Sequence, residues 1–223
     1  CAPEDDVLLT TAQGQCIRFA VDQVRVFSGR TSTGVRGIRL GAGDELIGMS
    51  VLGGTEISPG EARAYLKRAS ALRRSVGDGE EGIEPEIDEV DGDEADEEGR
   101  VEALSDERFA ELQAQEEFIL TITEEGMGKR ASAFDYRRAG RGGKGLIAHK
   151  LPKAGRLVAS FPVNAGDEIM MVTDAGQLIR CGVEQIRIAS RATQGVRVLR
   201  VAKGERVVSV ERLEEQEEAE IVP

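Results

Sequence analysis

A pattern that occurs three times in 223 residues limits what this chain can fold into. Each copy has a glycine-centred turn that leads into a short segment ending in arginine, at residues 11–18, 123–130 and 173–180. About 19–20 residues further on, each copy has a glycine-containing loop that begins with arginine, at residues 30–34, 141–145 and 191–195. A repeat of this kind indicates similar units stacked in an array.

The spacing of the copies divides the chain. The second and third copies lie 50 residues apart, whereas the first and second lie about 112 apart, an excess that matches the length of residues 53–117. We therefore expect repeats at residues 1–52, 118–167 and 168–213, an insert at 53–117 and a tail at 214–223.

Within one copy, β-branched and apolar residues form segments too short for helices, with glycine turns between them. In the first copy these segments are 7–11, 15–19, 35–40 and 46–52. Four strands in about 45 residues predict an all-β fold, a propeller-like array of three four-stranded blades. A solenoid of packed hairpins is the alternative. The turn glycines are Gly14, Gly34, Gly126, Gly145, Gly176 and Gly195.

The insert has a different pattern. Ser58, Pro59 and Glu61 form a capping box with proline at the first helical position, and apolar residues follow at helical spacing. A helix of about 16 residues is predicted there, and a second short one after Ser105. Residues 77–99 hold 13 acidic residues of 23 and no basic one, and are expected to be disordered; the tail is expected to be mobile.

Charge is distributed unevenly along the chain. The net charge of −12 hides an insert with 21 acidic and 7 basic residues and a terminal segment, 211–223, with 6 acidic and 1 basic. The other 145 residues hold 14 acidic and 21 basic residues, so the repeats are basic. No segment approaches the roughly 20 apolar residues of a membrane span, which predicts a cytoplasmic protein without a membrane partner.

Residues suited to catalysis or metal binding are scarce. The single histidine, His149, has no ligand at metal-binding spacing and is interpreted as structural. Cys1, Cys16 and Cys181 form no C-x-x-C pair. The glycine-rich loop at 140–145 departs from a nucleotide-binding P-loop, because Gly145 and then Leu146 follow its Gly-Lys pair, where Ser or Thr is needed. We predict no catalytic residue, no metal and no cofactor in this chain.

The repeated basic residues suit double-stranded DNA, whose phosphates are spaced regularly along the duplex. Glycines beside the arginines let the backbone approach phosphates, which a guanidinium can hold with two hydrogen bonds. The alternative is that these arginines only solvate the edges of the sheets. The predicted DNA-binding residues are Arg30, Arg36, Arg39, Arg141, Lys144, Lys150, Arg191, Arg197 and Arg200.

Two segments, residues 30–40 and 169–176, resemble the fourth and sixth blades of the C-terminal DNA-wrapping domain of gyrase A proteins. The chain is similar to the last three blades of that domain, apart from the insert. Residues 141–145 match the last five positions of the family's signature box, but Ala139 and Gly140 replace its first two residues, and the family has this box in its first blade.

The resemblance implies a β-pinwheel with a basic rim that wraps DNA and supports negative supercoiling. It also implies that the chain works with the rest of the gyrase A protein and with the gyrase B protein, in an A2B2 assembly near the bacterial nucleoid. ATP and Mg²⁺ would act elsewhere in that enzyme, and neither Tyr65 nor Tyr136 lies in a DNA-cleaving motif, so this chain alone should not be catalytic. Two alternatives stay open: the related topoisomerase IV domain, and a protein-interaction propeller.

Overall fold

The computed structural model describes residues 1–76, 104–152 and 155–214. The predictions for residues 77–99 and for the tail beyond Glu214 lie outside these ranges. The first repeat contains strands β1 (Asp6–Thr11), β2 (Gln15–Ala20) and β3 (Leu46–Leu52). The other elements follow in chain order: α1 (Pro59–Val76), α2 (Asp106–Ala114), β4 (Phe118–Thr123), β5 (Met127–Ser132), β6 (Leu146–Ile147), β7 (Leu157–Val163), β8 (Glu168–Thr173), β9 (Leu178–Gly182), β10 (Val196–Arg197) and β11 (Val207–Leu213).

The strands form three antiparallel sheets, one for each repeat, which confirms the all-β class. A tight turn joins β1 to β2 because Gly14 adopts a φ of 80°, which is unfavourable for any other residue. The same hairpin recurs as β4–β5 and β8–β9. The last long strand of each repeat, β3, β7 or β11, pairs with the other side of the first strand of the hairpin.

The fourth strand of a sheet comes from the next repeat, which corrects the expectation that each copy supplies its own four. The first sheet has the order β3-β1-β2-β6 and the second has β10-β5-β4-β7. In the third sheet, β9 has no such neighbour among the described residues, and the sheet has three strands. The repeats are therefore joined by exchanged strands as well as by side-chain packing.

The strand predicted at residues 35–40 is not formed. The prediction was wrong because this segment, too, depends on a sheet in another repeat. By its place in the repeat, this segment is equivalent to β6 and β10, each of which pairs with the sheet of the preceding repeat. The first repeat has no preceding sheet in the described part of the chain. A short segment without a hydrogen-bonding neighbour is not stable as a strand.

Apolar side chains fill the spaces between consecutive sheets. Leu8 and Cys16 of the first sheet pack with Ile119 and Tyr136 of the second repeat, and all four are buried. A larger cluster joins the second sheet to the third around Ile122 and Met171. Each repeat thus needs its neighbour to bury its own apolar surface.

The two helices of the insert form as predicted, with the caps that the sequence indicated. The Ser58 hydroxyl accepts a hydrogen bond from the Glu61 amide at 3.1 Å, and the Glu61 carboxylate accepts one from the Ser58 amide at 3.0 Å. Ser105 caps α2 through the Arg108 amide at 3.1 Å. Buried Tyr65 of α1 stacks on Phe109 of α2, with 5.0 Å between the ring centroids.

The insert is docked on the second repeat. The Tyr65 ring also meets the ring of Phe134 edge-on, at 5.3 Å between centroids. Phe134 lies in the one-turn 3-10 helix Ala133–Asp135, which directly follows β5. This aromatic contact fixes the helix pair against one edge of the array.

Candidate nucleic-acid interface

Backbone hydrogen bonds join the basic segment of one repeat to the basic loop of the next. The Arg39 amide donates to the Gly143 carbonyl at 2.8 Å, so the segment that holds Arg36 and Arg39 lies against the loop of the second repeat. One repeat further on, the Lys150 amide donates to the Thr193 carbonyl at 3.1 Å. The basic segment of each repeat therefore abuts the basic loop of the next.

Seven of the nine predicted DNA-binding residues have exposed side chains. We call these seven the basic row: Arg30, Arg36, Arg39, Lys144, Lys150, Arg197 and Arg200. Arginine and lysine side chains in contact with water are protonated at neutral pH, so every member of the row carries a positive charge.

Arg191 has a different position from the one expected of a phosphate ligand. It is only 6% exposed, and its guanidinium donates to the Asp135 carbonyl at 2.8 Å and to the Ile147 carbonyl. The Asp135 carboxylate in turn accepts the Arg191 backbone N–H at 2.7 Å. The side chain thus holds the loop of the third repeat against the second repeat.

Arg141, the equivalent residue of the second repeat, is half-buried and makes the same kind of contacts. Its guanidinium donates to the Gln23 carbonyl at 3.0 Å and to the Arg36 carbonyl, and its backbone N–H donates to the Gln23 side chain at 2.9 Å. Arg30, which has no preceding repeat in the described chain, is exposed. Arg141 and Arg191 therefore hold their loops against the preceding repeat, whereas Arg30 does not.

A buried lysine supports the third loop from beneath. Lys129 is fully buried, and its Nζ donates to the carbonyls of Ser190 at 2.9 Å and Thr193 at 2.6 Å and to that of Arg191. Three carbonyl oxygens replace the water that a buried ammonium loses, which makes burial of the charge tolerable. Lys129 therefore fixes the conformation of residues 190–193.

The six turn glycines all have positive φ, between 70° and 84°. At four of them, Gly14, Gly126, Gly145 and Gly195, a backbone carbonyl oxygen of an adjacent repeat also comes too close for a Cβ. A Cβ on Gly145 would overlap the Cys16 carbonyl oxygen, and one on Gly195 would overlap that of Gly128. Glycine at these positions lets the loop of one repeat lie directly on the hairpin of the preceding repeat.

Sequence reasoning missed a further basic residue in each repeat. Arg25, Arg137 and Arg187 stand seven residues after Arg18, Arg130 and Arg180, respectively, a spacing that an alignment of the three copies would have revealed. Arg25 and Arg137 are exposed and Arg187 is half-buried. The Arg25 guanidinium lies 5.2 Å from the centroid of the Phe27 ring.

Two side chains that could act in catalysis or metal binding, His149 and Cys16, are buried in the structure. His149 is buried, with Nδ1 2.9 Å from the Thr121 hydroxyl and Nε2 2.9 Å from the Gln194 carbonyl. Burial, aided by the charge of Lys129, lowers its pKa to about 3. Burial likewise raises the pKa of the Cys16 thiol to about 12. Both groups are uncharged at neutral pH.

Among the described residues, no group of three or more His, Cys, Asp or Glu side chains is arranged to hold a metal ion. Neither helix in this part of the chain has the length and apolar character that a membrane crossing requires.

Comparison with known proteins gives a consistent match. A family model described as the DNA gyrase C-terminal domain, a beta-propeller, matches residues 5–52, 117–164 and 167–214. The DNA gyrase A protein of Granulibacter bethesdensis is 50% identical over 214 residues, which cover 94% of this chain and 23% of that protein. The DNA gyrase A protein of Rickettsia bellii is 41% identical over 216 residues, which cover 96% of this chain and 22% of that protein. The chain thus spans less than a quarter of the length of either relative.

Two solved structures share the fold. The crystal structure of the C-terminal domain of DNA topoisomerase IV superposes with a TM-score of 0.61 at 18% identity, covering 95% of this chain and 47% of that one. The E. coli ParC C-terminal domain superposes with a TM-score of 0.56 at 12% identity, covering 96% of this chain and 64% of that one.

Proposed function

Since the chain belongs to the DNA gyrase C-terminal domain family, we propose that it binds and bends double-stranded DNA along the basic row. The observation that carries this proposal is the contact between the basic segment of one repeat and the basic loop of the next, at Arg39 and again at Lys150. It places cationic side chains one after another along the edge of the array. A duplex that follows this edge meets a new group of cations at each repeat.

Binding of this kind selects for charge and shape rather than base sequence. The basic row is carried on loops and two-residue strands, and none of its members lies on α1 or α2, so no helix offers these cations to a major groove. Lysine and arginine that contact phosphates release condensed counterions, which makes affinity fall as salt rises. Bending costs energy that extra phosphate contacts repay.

In the longer protein, bending along the row would store a positive wrap in DNA. Strand passage by other parts of a type II topoisomerase would then convert this wrap into negative supercoils with ATP and Mg²⁺. We propose that this chain serves DNA gyrase in that way, within an A2B2 assembly in the bacterial cytoplasm close to the nucleoid. A topoisomerase IV domain with weaker wrapping is the second candidate, because the fold is shared with that enzyme.

Duplex affinity measured against salt tests the proposal. If six phosphates are engaged, log K should fall against log salt with a slope of roughly −5, equally for unrelated sequences of the same length. Lys144→Ala should reduce the slope by about 1. Lys67→Ala is the matched control, since Lys67 is also exposed but lies on α1, outside the basic row.

Affinity that does not change with salt would refute DNA binding and favour a protein-interaction module. Relaxation of a closed plasmid in the presence of the chain then separates the two enzyme candidates. A positive linking-number change is expected for the gyrase role, and a much smaller change at equal occupancy would favour topoisomerase IV.

A further inference from the structure

Two further arginines, each within the second strand of a hairpin, are buried between repeats. Arg18 is 5% exposed and Arg130 is 6% exposed, although each carries a full charge. Both guanidinium groups therefore lie inside the array and not in solvent. Their role must follow from what they contact inside the array.

Arg130 joins the second repeat to the third through the 3-10 turn Val183–Gln185. Its Nε donates to the Ile186 carbonyl at 2.6 Å, and Nη2 donates to the Glu184 carbonyl at 3.0 Å. The backbone of the same residue also crosses the junction, because its N–H donates to the Arg187 carbonyl at 3.0 Å and its carbonyl accepts from the Ala189 amide at 2.8 Å. Side chain and backbone of one residue thus both bind the next repeat.

Arg18 does the same at the preceding junction. Its Nη1 donates to the Ala133 carbonyl of the second repeat at 2.8 Å, and its own carbonyl accepts from the Ala139 amide at 2.7 Å. Asp6, fully buried, accepts from Arg18 Nε at 2.7 Å and from Arg138 of the second repeat at 3.1 Å. The contact therefore recurs at both junctions between the described repeats and has the same direction in each.

The loop arginines close each junction from the opposite side. Arg130 reaches forward to the turn of the third repeat, whereas Arg191 reaches back to the turn of the second, at the Asp135 carbonyl. The planar guanidinium donates in fixed directions, so a pair of carbonyls held by one group cannot rotate freely relative to it. Two such groups acting in opposite directions fix the angle between two sheets.

Arg180 shows how this arginine lies when no further repeat of the described chain is packed against it. It stands at the position of Arg18 and Arg130 in the third repeat, but its side chain is 61% exposed. Its guanidinium pairs with Glu168, the equivalent of Asp6, within its own sheet. The chain therefore contains its own control for this arginine.

We propose that Arg18 and Arg130 are positioning residues that set the angle between consecutive repeats and thereby the curvature of the basic row. The effect on DNA rests on the proposed function, whereas the effect on the angle does not. Loss of these inter-repeat hydrogen bonds should leave individual phosphate contacts intact, since no row residue changes. It should weaken bending, because a bend is maintained only when the cations lie along a fixed curve.

The angle is measured without DNA, by the distance between spin labels on two equivalent exposed turn positions. The labels go on Glu125→Cys and Ala175→Cys in a chain that also carries Cys1→Ser and Cys181→Ser. Arg130→Gln is expected to broaden the distance distribution. Arg130→Lys keeps the positive charge but loses the planar guanidinium with its several donors, and is expected to broaden the distribution less. Arg180→Gln should leave it unchanged.

The consequence for DNA is measured on the same variants without labels. Arg130→Gln should keep affinity for a short straight duplex within about twofold, since the phosphate contacts are unchanged. It should lower the linking-number change per bound chain by about half, because the bend is less well supported. Arg130→Lys should recover part of this loss, and Arg180→Gln should match the parent.

Two results would overturn the proposal. One is a distance distribution for Arg130→Gln and Arg130→Lys that matches the parent. The other is an equal loss of linking-number change in the Arg130 and Arg180 variants. Broadened distances in a chain that does not bind DNA would instead refute the proposed function and leave the role of Arg130 in setting the angle intact.

Discussion

Acidification should destabilise this protein through its single histidine. His149 is buried, and its pKa lies near 3 because burial and the nearby Lys129 charge disfavour the imidazolium. In the unfolded chain the pKa of histidine is about 6.5. The unfolded state therefore binds the proton more readily, so the stability that neutral His149 provides is fully present above pH 6.5 and is lost as the pH falls from 6.5 towards 3.

The size of the effect follows from these two pKa values. Between about pH 7 and pH 5 the unfolded state gains most of a proton at this site while the folded state gains almost none. The linkage relation then gives a loss of about 2 kcal/mol from His149 alone. Such a loss is a large fraction of the roughly 5–15 kcal/mol by which a domain is stable.

The matched variant is His149→Leu, because Leu199 and Ile38 occupy the equivalent position in the other two repeats. Urea unfolding followed by far-ultraviolet circular dichroism suits a chain without tryptophan. The loss of stability from about pH 7 to pH 5 should be about 2 kcal/mol greater in the parent than in the variant, and subtraction removes the contribution of the carboxylates. Equal losses, or an NMR titration of the single imidazole with a pKa near its unfolded value, would refute the reasoning.

Three further outcomes are expected. Arg191→Ala should lower the free energy of unfolding by about 3 kcal/mol, because it leaves buried carbonyls without a donor. Lys144→Ala should change it by less than about 0.5 kcal/mol. Similar values for the two variants in chemical unfolding would contradict the roles assigned to these residues. Gly145→Ala should lower the melting temperature far more than Gly176→Ala, since both have positive φ but only Gly145 lies against another strand. Tyr65→Ala should cost about 3–5 kcal/mol and increase hydrogen exchange in α1, and unchanged protection there would argue against docking through the aromatic cluster.

Local features of this fold could be predicted from the sequence because their causes are local. The hairpin glycines, the capping box at Ser58 and the cap at Ser105 each depend on a few neighbouring residues, and the structure confirms both caps. The repeat spacing placed the chain in the right fold class, and the family resemblance is confirmed by the family model. The assignment of the basic row to DNA stays a prediction.

Only the tertiary structure decided which repeat a given strand or side chain contacts. Residues 35–40 have the composition of a strand, but a strand needs a hydrogen-bonding neighbour, and β6 and β10 find theirs in the preceding sheet. Arg30 and Arg191 are likewise equivalent in sequence, yet one is exposed and the other is buried against the carbonyls of an adjacent repeat. The sequence specifies that an arginine stands at a given position, and therefore its charge and the length of its side chain. Which carbonyl groups it can bind depends on whether another repeat is packed beside it.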